Sequence, residues 1–304
     1  MAINTSNIRS LLLPGLYDVD GMYAQIDKEW DKIFTTHKAT LRVETKAQMR
    51  ILGLAQLKSE GGATAFDNGA GHRYLFNAQA FQVGLGYSIT RESLDDNQYV
   101  KDFNLMKLPL ANSFNQFKEI NSANVLNNAG TYDPSVGGDG VALLSASHPY
   151  DSGTWANTFT SAQLDLNETS LIQACLNVRA NFVDEAGLKI MARAEKLIIP
   201  VQLTAVAERL LKTELRPGTA NNDVNAIISM PGGIKEYLVN DYLTSQYAWF
   251  LKTNIDGLVM MQRMPYETSM WVDDNTDNVL IKGYERYIPT YNDPRALYGS
   301  TPSS

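Results

Sequence analysis

The residues most able to do chemistry in this sequence are two adjacent aspartates and a distant histidine. Asp95 is followed by Asp96, and His148 is followed three residues later by Asp151. Carboxylates and an imidazole are the usual ligands of hydrolytic metals and the usual general acids and bases. However, Asp is also an ordinary residue at the start of a helix, and the three histidines of the chain are not at metal-ligand spacing from one another. The pattern favours structural roles for these side chains, and a soluble metal-dependent hydrolase is an alternative.

Other motifs have the residues of a known site but lack its spacing. The GGDG run that ends at Gly140 and the glycines near Gly69 are not followed by the Lys and Ser or Thr of a phosphate-binding loop. The acidic run 273–278 lacks the glycine and the terminal glutamate of a calcium-binding loop. Cys175 falls on the apolar face of a predicted helix, which indicates a core residue. The sequence therefore predicts no catalytic residue, no cofactor and no metal, and hence no enzyme.

Net charge, cysteine content and the length of apolar runs argue against several further classes of protein. The 304 residues carry a net charge of −7 with no basic block, which argues against sequence-specific nucleic-acid binding. A single cysteine excludes an internal disulfide and fits synthesis in a reducing cytoplasm. No apolar run approaches the roughly 20 residues that cross a bilayer, so we expect no membrane association.

The first third of the chain places a glycine-rich segment between two regular patterns. The segment after Asp20, GMYAQIDKEWDKIF, predicts one amphipathic helix. Residues 58–74 are a loop by their glycine content, and residues 73–90 alternate like one strand of a long hairpin. Such a hairpin leaves edges that another chain must cover. We therefore expect the segment from Lys58 to Tyr87 to be dispensable for the fold of the subunit and needed for its assembly.

The rest of the chain predicts a mixed α+β fold. A long helix is expected from Gln98 to Asn128, with Pro109 as its kink or its true start. A loop follows, and a late hairpin is formed by the strand patterns at 265–272 and 278–291, joined by the acidic run.

The order of motifs in the second half resembles one family, the major capsid proteins of tailed bacteriophages, and especially the Mu-type major head subunit. The motifs are LLSASHP (143–149), KLIIPVQLTAVAERLLKTELRPGTANNDVNAI (196–227), YLTSQYAWFLKT (242–253) and GYERYIPTYNDPRALYGS (283–300). This resemblance implies the Hong Kong 97-like capsid fold. Its parts would be an N-terminal arm and docking helix (1–45), an extended loop or E-loop (46–92), the spine helix of the P-domain (93–130), an axial A-domain (131–262), and the P-domain strands with the C-terminus (263–304).

The resemblance also implies a function and partners. The subunit would self-assemble into hexamers and pentamers of an icosahedral head around double-stranded DNA, in the virion, after synthesis in the cytoplasm of a bacterial host. Its partners would be a portal protein, a decoration protein on some heads, and a separate scaffolding protein, because we expect that no N-terminal propeptide is cleaved from the mature subunit. We expect subunit contacts at Lys58, Gly61, Gly62, Phe66, Arg73, Trp155, Arg216 and Arg263. An encapsulin-like nanocompartment shell protein would have the same fold, and the contents of the particle would distinguish the two.

Overall fold

The computed structural model describes residues 21–95, 99–213, 224–230, 232–234 and 236–302. Residues 21–25 are helical, and the further α-helices are α1 (Trp30–Ile33), α2 (Arg91–Asp95), α3 (Tyr99–Asn127), α4 (Glu168–Asn181), α5 (Thr204–Lys212) and α6 (Ala226–Ser229). Its strands are β1 (Thr35–Lys38), β2 (Val43–Arg50), β3 (Gly71–Gln79), β4 (Phe81–Ile89), β5 (His148–Tyr150), β6 (Gly153–Trp155), β7 (Ala194–Ile199), β8 (Glu236–Val239), β9 (Trp249–Thr253), β10 (Leu258–Val272), β11 (Val279–Tyr291) and β12 (Leu297–Ser300). In this part of the chain, no helix has both the length and the apolar character to span a membrane.

The first four-stranded sheet has the order β1-β10-β11-β4, and the long helix α3 packs against β4 and β11. β1 is parallel to β10, whereas β10, β11 and β4 are antiparallel neighbours. The predicted late hairpin is confirmed as β10 and β11, and its turn needs the left-handed backbone of Asp277 (φ 55°). The predicted long helix is confirmed within one residue at each end, and Pro109 lies inside it rather than at its start.

A buried ion pair joins α3 to this sheet. Lys118 and Glu285 are 1% and 0% exposed at their side chains and contact each other directly. The ammonium group lies 4.6 Å from the ring centroids of both Trp30 and Tyr287, and the Tyr23 hydroxyl donates to Glu285 at 3.3 Å. Burial lowers the pKa of Lys118, and the attraction of Glu285 opposes that effect. This pair fixes the position of α3 along β11, because either charge alone would be buried without a partner.

A second carboxylate of α3 holds the N-terminal helical segment. Glu119 accepts backbone N–H groups from Glu29 at 2.8 Å and from Trp30 at 3.0 Å, and so caps α1. Burial raises the pKa of Glu119 to about 7, although these two donors act in the opposite direction. The prediction of one continuous helix over 21–34 is wrong, because residues 21–25 and α1 are separate helical pieces. A continuous helix would have used the N–H groups of Glu29 and Trp30 in its own backbone hydrogen bonds, whereas here they donate to Glu119.

The second four-stranded sheet has the order β12-β9-β7-β8 and is packed with α4 and α5. Its core includes Trp249 and Leu197 from the strands and Val178 from α4. α4 begins at a reciprocal cap in which the Asn167 side chain accepts from Ser170 N at 2.8 Å and Ser170 Oγ accepts from Asn167 N at 3.0 Å. Cys175 is buried here at 1% exposure, so the prediction of a core cysteine is confirmed.

The glycine-rich hairpin is confirmed as the antiparallel pair β2 and β3. The prediction that the segment from Lys58 to Tyr87 is dispensable for the fold of the subunit is wrong. Residues 73–90 form two strands, because the chain changes partner at Ala80: β3 pairs with β2, and β4 pairs with β11. Phe76 is 1% exposed in the same core cluster as α3 residues. Removing Lys58 to Tyr87 would therefore remove core side chains and most of a sheet strand, so that segment is needed for the fold.

Candidate assembly surfaces

A long arm extends from the subunit and ends in an apolar loop. The arm consists of β2 and β3, with Val43 opposite Gln79 at its base and Arg50 opposite Gly71 at its outer end. Residues 51–70, which we call the tip loop, connect these outer ends. Large apolar side chains of the tip loop lie in solvent, with exposures of 79% for Leu54, 105% for Leu57 and 86% for Phe66. Clustered apolar exposure of this kind marks a contact site for another molecule.

One carboxylate organises the tip loop. Asp67 accepts backbone N–H groups from Gly53 at 2.7 Å and from Gly69 at 2.8 Å, which joins the two sides of the loop. These two bonds, followed by Arg50 at 3.2 Å, lower the pKa of Asp67. Phe66 is thereby held next to a residue that is bound to the outer end of β2. The loop presents its aromatic side chain from a defined place.

An ionic network joins the arm to the β5–β6 turn and to segments next to the second sheet. Asp151 contacts both Arg50 of β2 and Arg73 of β3. Arg73 also lies 3.2 Å from Glu185, and Glu185 pairs with Arg295 at 2.5 Å. We call these five residues the base latch, because they join the arm, through Arg50 and Arg73 near its outer end, to the body of the subunit. It crosses from the arm to the loop after α4 and to the segment before β12, and so sets the direction in which the arm points.

Most of the predicted contact residues lie on the arm. Lys58, Gly61 and Phe66 are exposed in the tip loop, Gly62 is half-buried there, and Arg73 is part of the base latch. Gly61 adopts φ 75°, which favours glycine at this turn.

The remaining predicted contact residues do not join this surface. Trp155 is 5% exposed and stacks on His148 with ring centroids 4.5 Å apart, so it belongs to the core of its own subunit. Arg263 is half-buried and donates to the Ala39 carbonyl at 3.4 Å. Arg216 lies outside the described residues. The roles of these three in subunit contacts stay predictions, and no argument below uses them.

The suspected acid–base residues have structural partners. Both ring nitrogens of His148 are occupied, by Asp139 at 2.6 Å and by Asn157 at 3.1 Å. Asp151 belongs to the base latch, while Asp96 and the side chain of Asp95 lie outside the described residues. Among the described residues, no group of His, Cys, Asp and Glu is arranged to hold a metal ion. The arrangement gives His148 a role in fixing the loops around β5.

The sequence did not identify several of the residues whose contacts order the arm. Asp67, Glu185 and Arg295 carry much of the ordering of the arm, but nothing in their local context distinguishes them from other surface charges. The partners of the latch are 101 residues apart for Arg50 and Asp151 and 110 apart for Glu185 and Arg295. Only the tertiary structure brings them together.

The sequence profile of a family described as "Phage capsid protein" matches residues 77–300. No curated protein matches the sequence. The match covers the second sheet, the strands β4, β10 and β11 of the first sheet, α3 and the segment that bears the latch residues Asp151, Glu185 and Arg295.

Solved structures of shell-forming proteins have a similar fold. A virus-like particle from Pyrococcus furiosus is 10% identical with a TM-score of 0.56, and the match covers 94% of this chain and 98% of that chain. The procapsid of bacteriophage JBD30 is 10% identical with a TM-score of 0.53, over 99% and 77% of the two chains. The capsid of an empty GTA particle is 12% identical with a TM-score of 0.52, over 92% and 98%. At these identities the likeness shows the fold.

Proposed function

Because the chain belongs to the phage capsid protein family and has the α+β, Hong Kong 97-like fold of capsid subunits, we propose that its copies assemble into hexamers and pentamers that close an icosahedral head around double-stranded DNA. The protein is a structural subunit of a phage capsid. The geometry of the closed shell and its contents are the parts of this statement that need experiment.

The observation that supports assembly most directly is the exposed tip loop. Three of its large apolar side chains, Leu54, Leu57 and Phe66, are almost fully in solvent, although the loop is ordered by Asp67 and the arm by the base latch. Burying such side chains contributes about 1.5–3 kcal/mol each. A subunit that holds them outward gains this energy only when a second molecule covers them.

Assembly can be tested on the purified protein. We expect native preparations to contain capsomers or particles of megadalton size, seen by analytical ultracentrifugation and electron microscopy. A stable monomer at micromolar concentration, with neither rings nor shells in micrographs, would overturn the proposal.

The charge of the chain supports a container that does not bind its contents tightly. With a net charge of −7 and no basic block, we propose that subunits contact packaged DNA without sequence preference. In a filter-binding titration, any association of isolated subunits with duplex DNA should disappear by physiological salt. Nanomolar, sequence-selective binding at that salt would contradict this part of the proposal.

The wider setting follows from the same proposal. The subunit would act without catalysis, be made in the host cytoplasm, and join a portal protein, a separate scaffolding protein and, on some heads, a decoration protein. Co-purification of procapsids with those proteins from an infected or induced host is the relevant measurement.

An encapsulin-like shell is the second candidate, because the virus-like particle from Pyrococcus furiosus has a similar fold. The family profile favours a phage head. Nuclease-protected double-stranded DNA inside particles from the natural host would support the head, whereas a protein cargo without DNA would support the nanocompartment.

A further inference from the structure

The tip loop contains a reactive pair of residues. Asn68 is followed by Gly69, and this is the one Asn-Gly step in the sequence. Glycine has no Cβ to hinder its nitrogen, and its backbone reaches conformations that other residues avoid. The nitrogen of such a glycine can close a five-membered ring on the preceding carboxamide, because the two groups are already held together by the chain. Asn68 is therefore the asparagine of this sequence most open to attack by its own backbone.

The side chain of Asn68 is free to react. Asn68 and Gly69 are both exposed, and they lie outside the helices and strands. Within the part of the chain that the structure describes, no residue forms a hydrogen bond with the Asn68 carboxamide. Neither regular structure nor a side-chain partner therefore holds the carboxamide away from the nitrogen of Gly69.

A carboxylate contacts the attacking nitrogen. The Gly69 N–H donates to Asp67 Oδ1 at 2.8 Å, which is the distance that general-base catalysis requires. Asp67 also accepts from Gly53 N at 2.7 Å, and these bonds lower its pKa, so the carboxyl group is ionised at neutral pH. Asp67 can therefore accept the proton that Gly69 must lose when its nitrogen attacks.

A cation also contacts Gly69. Arg50 lies 3.2 Å from Asp67, and its guanidinium packs so closely on Gly69 that an added Cβ would overlap it. A nearby positive charge favours the deprotonated form of a group. The guanidinium thus favours loss of the proton from the Gly69 nitrogen, and it leaves room for glycine alone at this position.

We propose that Asn68 is a self-modification site, at which the chain converts its own asparagine to aspartate or isoaspartate. Asp67 takes the proton of the Gly69 nitrogen while that nitrogen forms a bond to Cγ of Asn68. The bond between Cγ and the amide nitrogen breaks, and this nitrogen leaves as ammonia with the proton from Asp67, whose carboxylate is regenerated. Water then opens the succinimide ring at either of its two carbonyl groups, and no oxidant or reductant takes part.

The product changes the surface that the proposed assembly uses. It places a second carboxylate directly beside Asp67, and the two negative charges repel each other. Isoaspartate also adds a methylene group to the backbone two residues after Phe66. Both changes disturb the bonds by which Asp67 orders the tip loop, so unassembled subunits lose their ability to assemble as they age. This consequence rests on the proposed self-assembly, whereas the chemistry at Asn68 does not.

Peptide mapping of dissociated subunits tests the chemistry. The parent protein is incubated at neutral pH, and the asparagine, aspartate and isoaspartate forms at position 68 are separated and measured by mass spectrometry. Asn128 is the internal control, because it is also exposed but the next N–H, of Ala129, donates to the Leu126 carbonyl at 3.1 Å. We expect conversion at Asn68 to be at least about tenfold faster than at Asn128. Equal rates at the two positions, or no conversion at Asn68, would overturn the proposal.

The variant Asp67→Asn separates catalysis by Asp67 from support of the loop. The new carboxamide oxygen can accept from the N–H groups of Gly53 and Gly69, but it cannot take up a proton. If the carboxylate is the general base, conversion at Asn68 should slow by at least about threefold. If Asp67 only steadies the loop, the loosened loop will react at the parent rate or faster, and the role assigned to Asp67 is wrong.

The variant Asn68→Asp reproduces one product and tests the effect on assembly. We expect it to raise the subunit concentration needed for assembly by about fivefold, the factor that repulsion between neighbouring exposed carboxylates produces. Asn68→Gln is the matched control, because it keeps a neutral carboxamide and would have to close a six-membered ring; it should stay unmodified and assemble as the parent does. Equal assembly by Asn68→Asp and the parent would overturn the effect on assembly. If the parent forms no particles, the proposed function fails while the chemistry at Asn68 stands.

Discussion

The spine helix and the arm are both held by ion pairs, but the two pairs are in different surroundings. Lys118 and Glu285 are enclosed beneath α3, at 1% and 0% exposure. In the base latch, the side chains of Arg50, Arg73 and Asp151 are 18%, 22% and 34% exposed. Water therefore competes for the contacts of Asp151 with Arg50 and Arg73, whereas it does not reach the Arg295–Glu185 pair of the latch, at 6% and 4% exposure, or the pair beneath the helix.

This difference in solvent access separates a fixed part of the subunit from an adjustable one. A buried charge that loses its partner costs several kcal/mol, whereas an exposed ion pair is worth at most about 1 kcal/mol. The position of α3 on β11 is consequently fixed, and the direction of the arm can be changed at small cost. Under the proposed assembly into hexamers and pentamers, a subunit that fits both would benefit from having its adjustable contact at the arm. The following changes are ordered by their expected effect on the free energy of unfolding.

Replacing Lys118 by Met should have the largest effect. The change leaves the Glu285 carboxylate buried without its cation, and we expect a loss of about 3–5 kcal/mol. Urea unfolding of dissociated subunits measures it. The double variant with Glu285→Met removes both charges and should recover most of the loss. A single variant that unfolds at the same urea concentration as the double variant would contradict this account.

Glu119 should make stability depend on pH. Its pKa is raised from 4.5 to about 7 in the folded state, so folding retains a proton that the unfolded chain releases. The stabilisation is fully present below about pH 4.5 and is lost as the pH rises through about 7, by up to about 3.5 kcal/mol at roughly 1.4 kcal/mol per pKa unit. The difference in unfolding free energy between pH 5 and pH 8 should shrink in Glu119→Gln. An unchanged difference would show that other groups cause the dependence.

Replacing Asp151 by Asn should cost only about 1 kcal/mol or less, because the base latch is partly exposed. Its main effect should be local. Hydrogen exchange of the β2 and β3 amides should become faster, while exchange in α3 stays the same. Asp67→Asn is the matched control and should affect residues 51–70 alone. Equal acceleration of hydrogen exchange in α3 would mean that the arm and the helix do not open independently of each other.

Replacing the tip loop 51–70 by a short Gly-Ser linker should change the unfolding free energy least, by no more than about 0.5 kcal/mol. The loop contributes almost no buried side chains to its own subunit. Assembly should nevertheless be lost, as seen by sedimentation of the folded variant. Normal closed particles from this variant would place the main subunit contact elsewhere.

Local patterns predicted the regular elements well. The predicted helix from Gln98 to Asn128 and the late hairpin were recovered because their periodicity comes from neighbouring residues. The division of residues 73–90 into β3 and β4 was missed, since no glycine or proline marks the change of partner at Ala80. Because this boundary was missed, the segment predicted to be dispensable included strand residues that the fold needs.

The candidate contacts were predictable only in part. Phe66 and the glycines of the tip loop were identified, because exposure of a glycine-rich loop follows from composition. Aromatic type alone could not separate Phe66, which is exposed, from Trp155, which is buried. The base latch depends on pairs of segments far apart in the sequence, and no single segment contains a sign of it.

The strand order of the first sheet has a consequence for synthesis of the chain. β1 and β4 are the outer strands and are made early, whereas the two strands between them, β10 and β11, span residues 258–291. On the ribosome the early strands therefore have no sheet to join until residue 291 has been translated. Non-local pairing of this kind folds slowly and leaves strand edges exposed in the meantime. A nascent subunit consequently has no finished first sheet to present to its neighbours until its own chain is complete through β11.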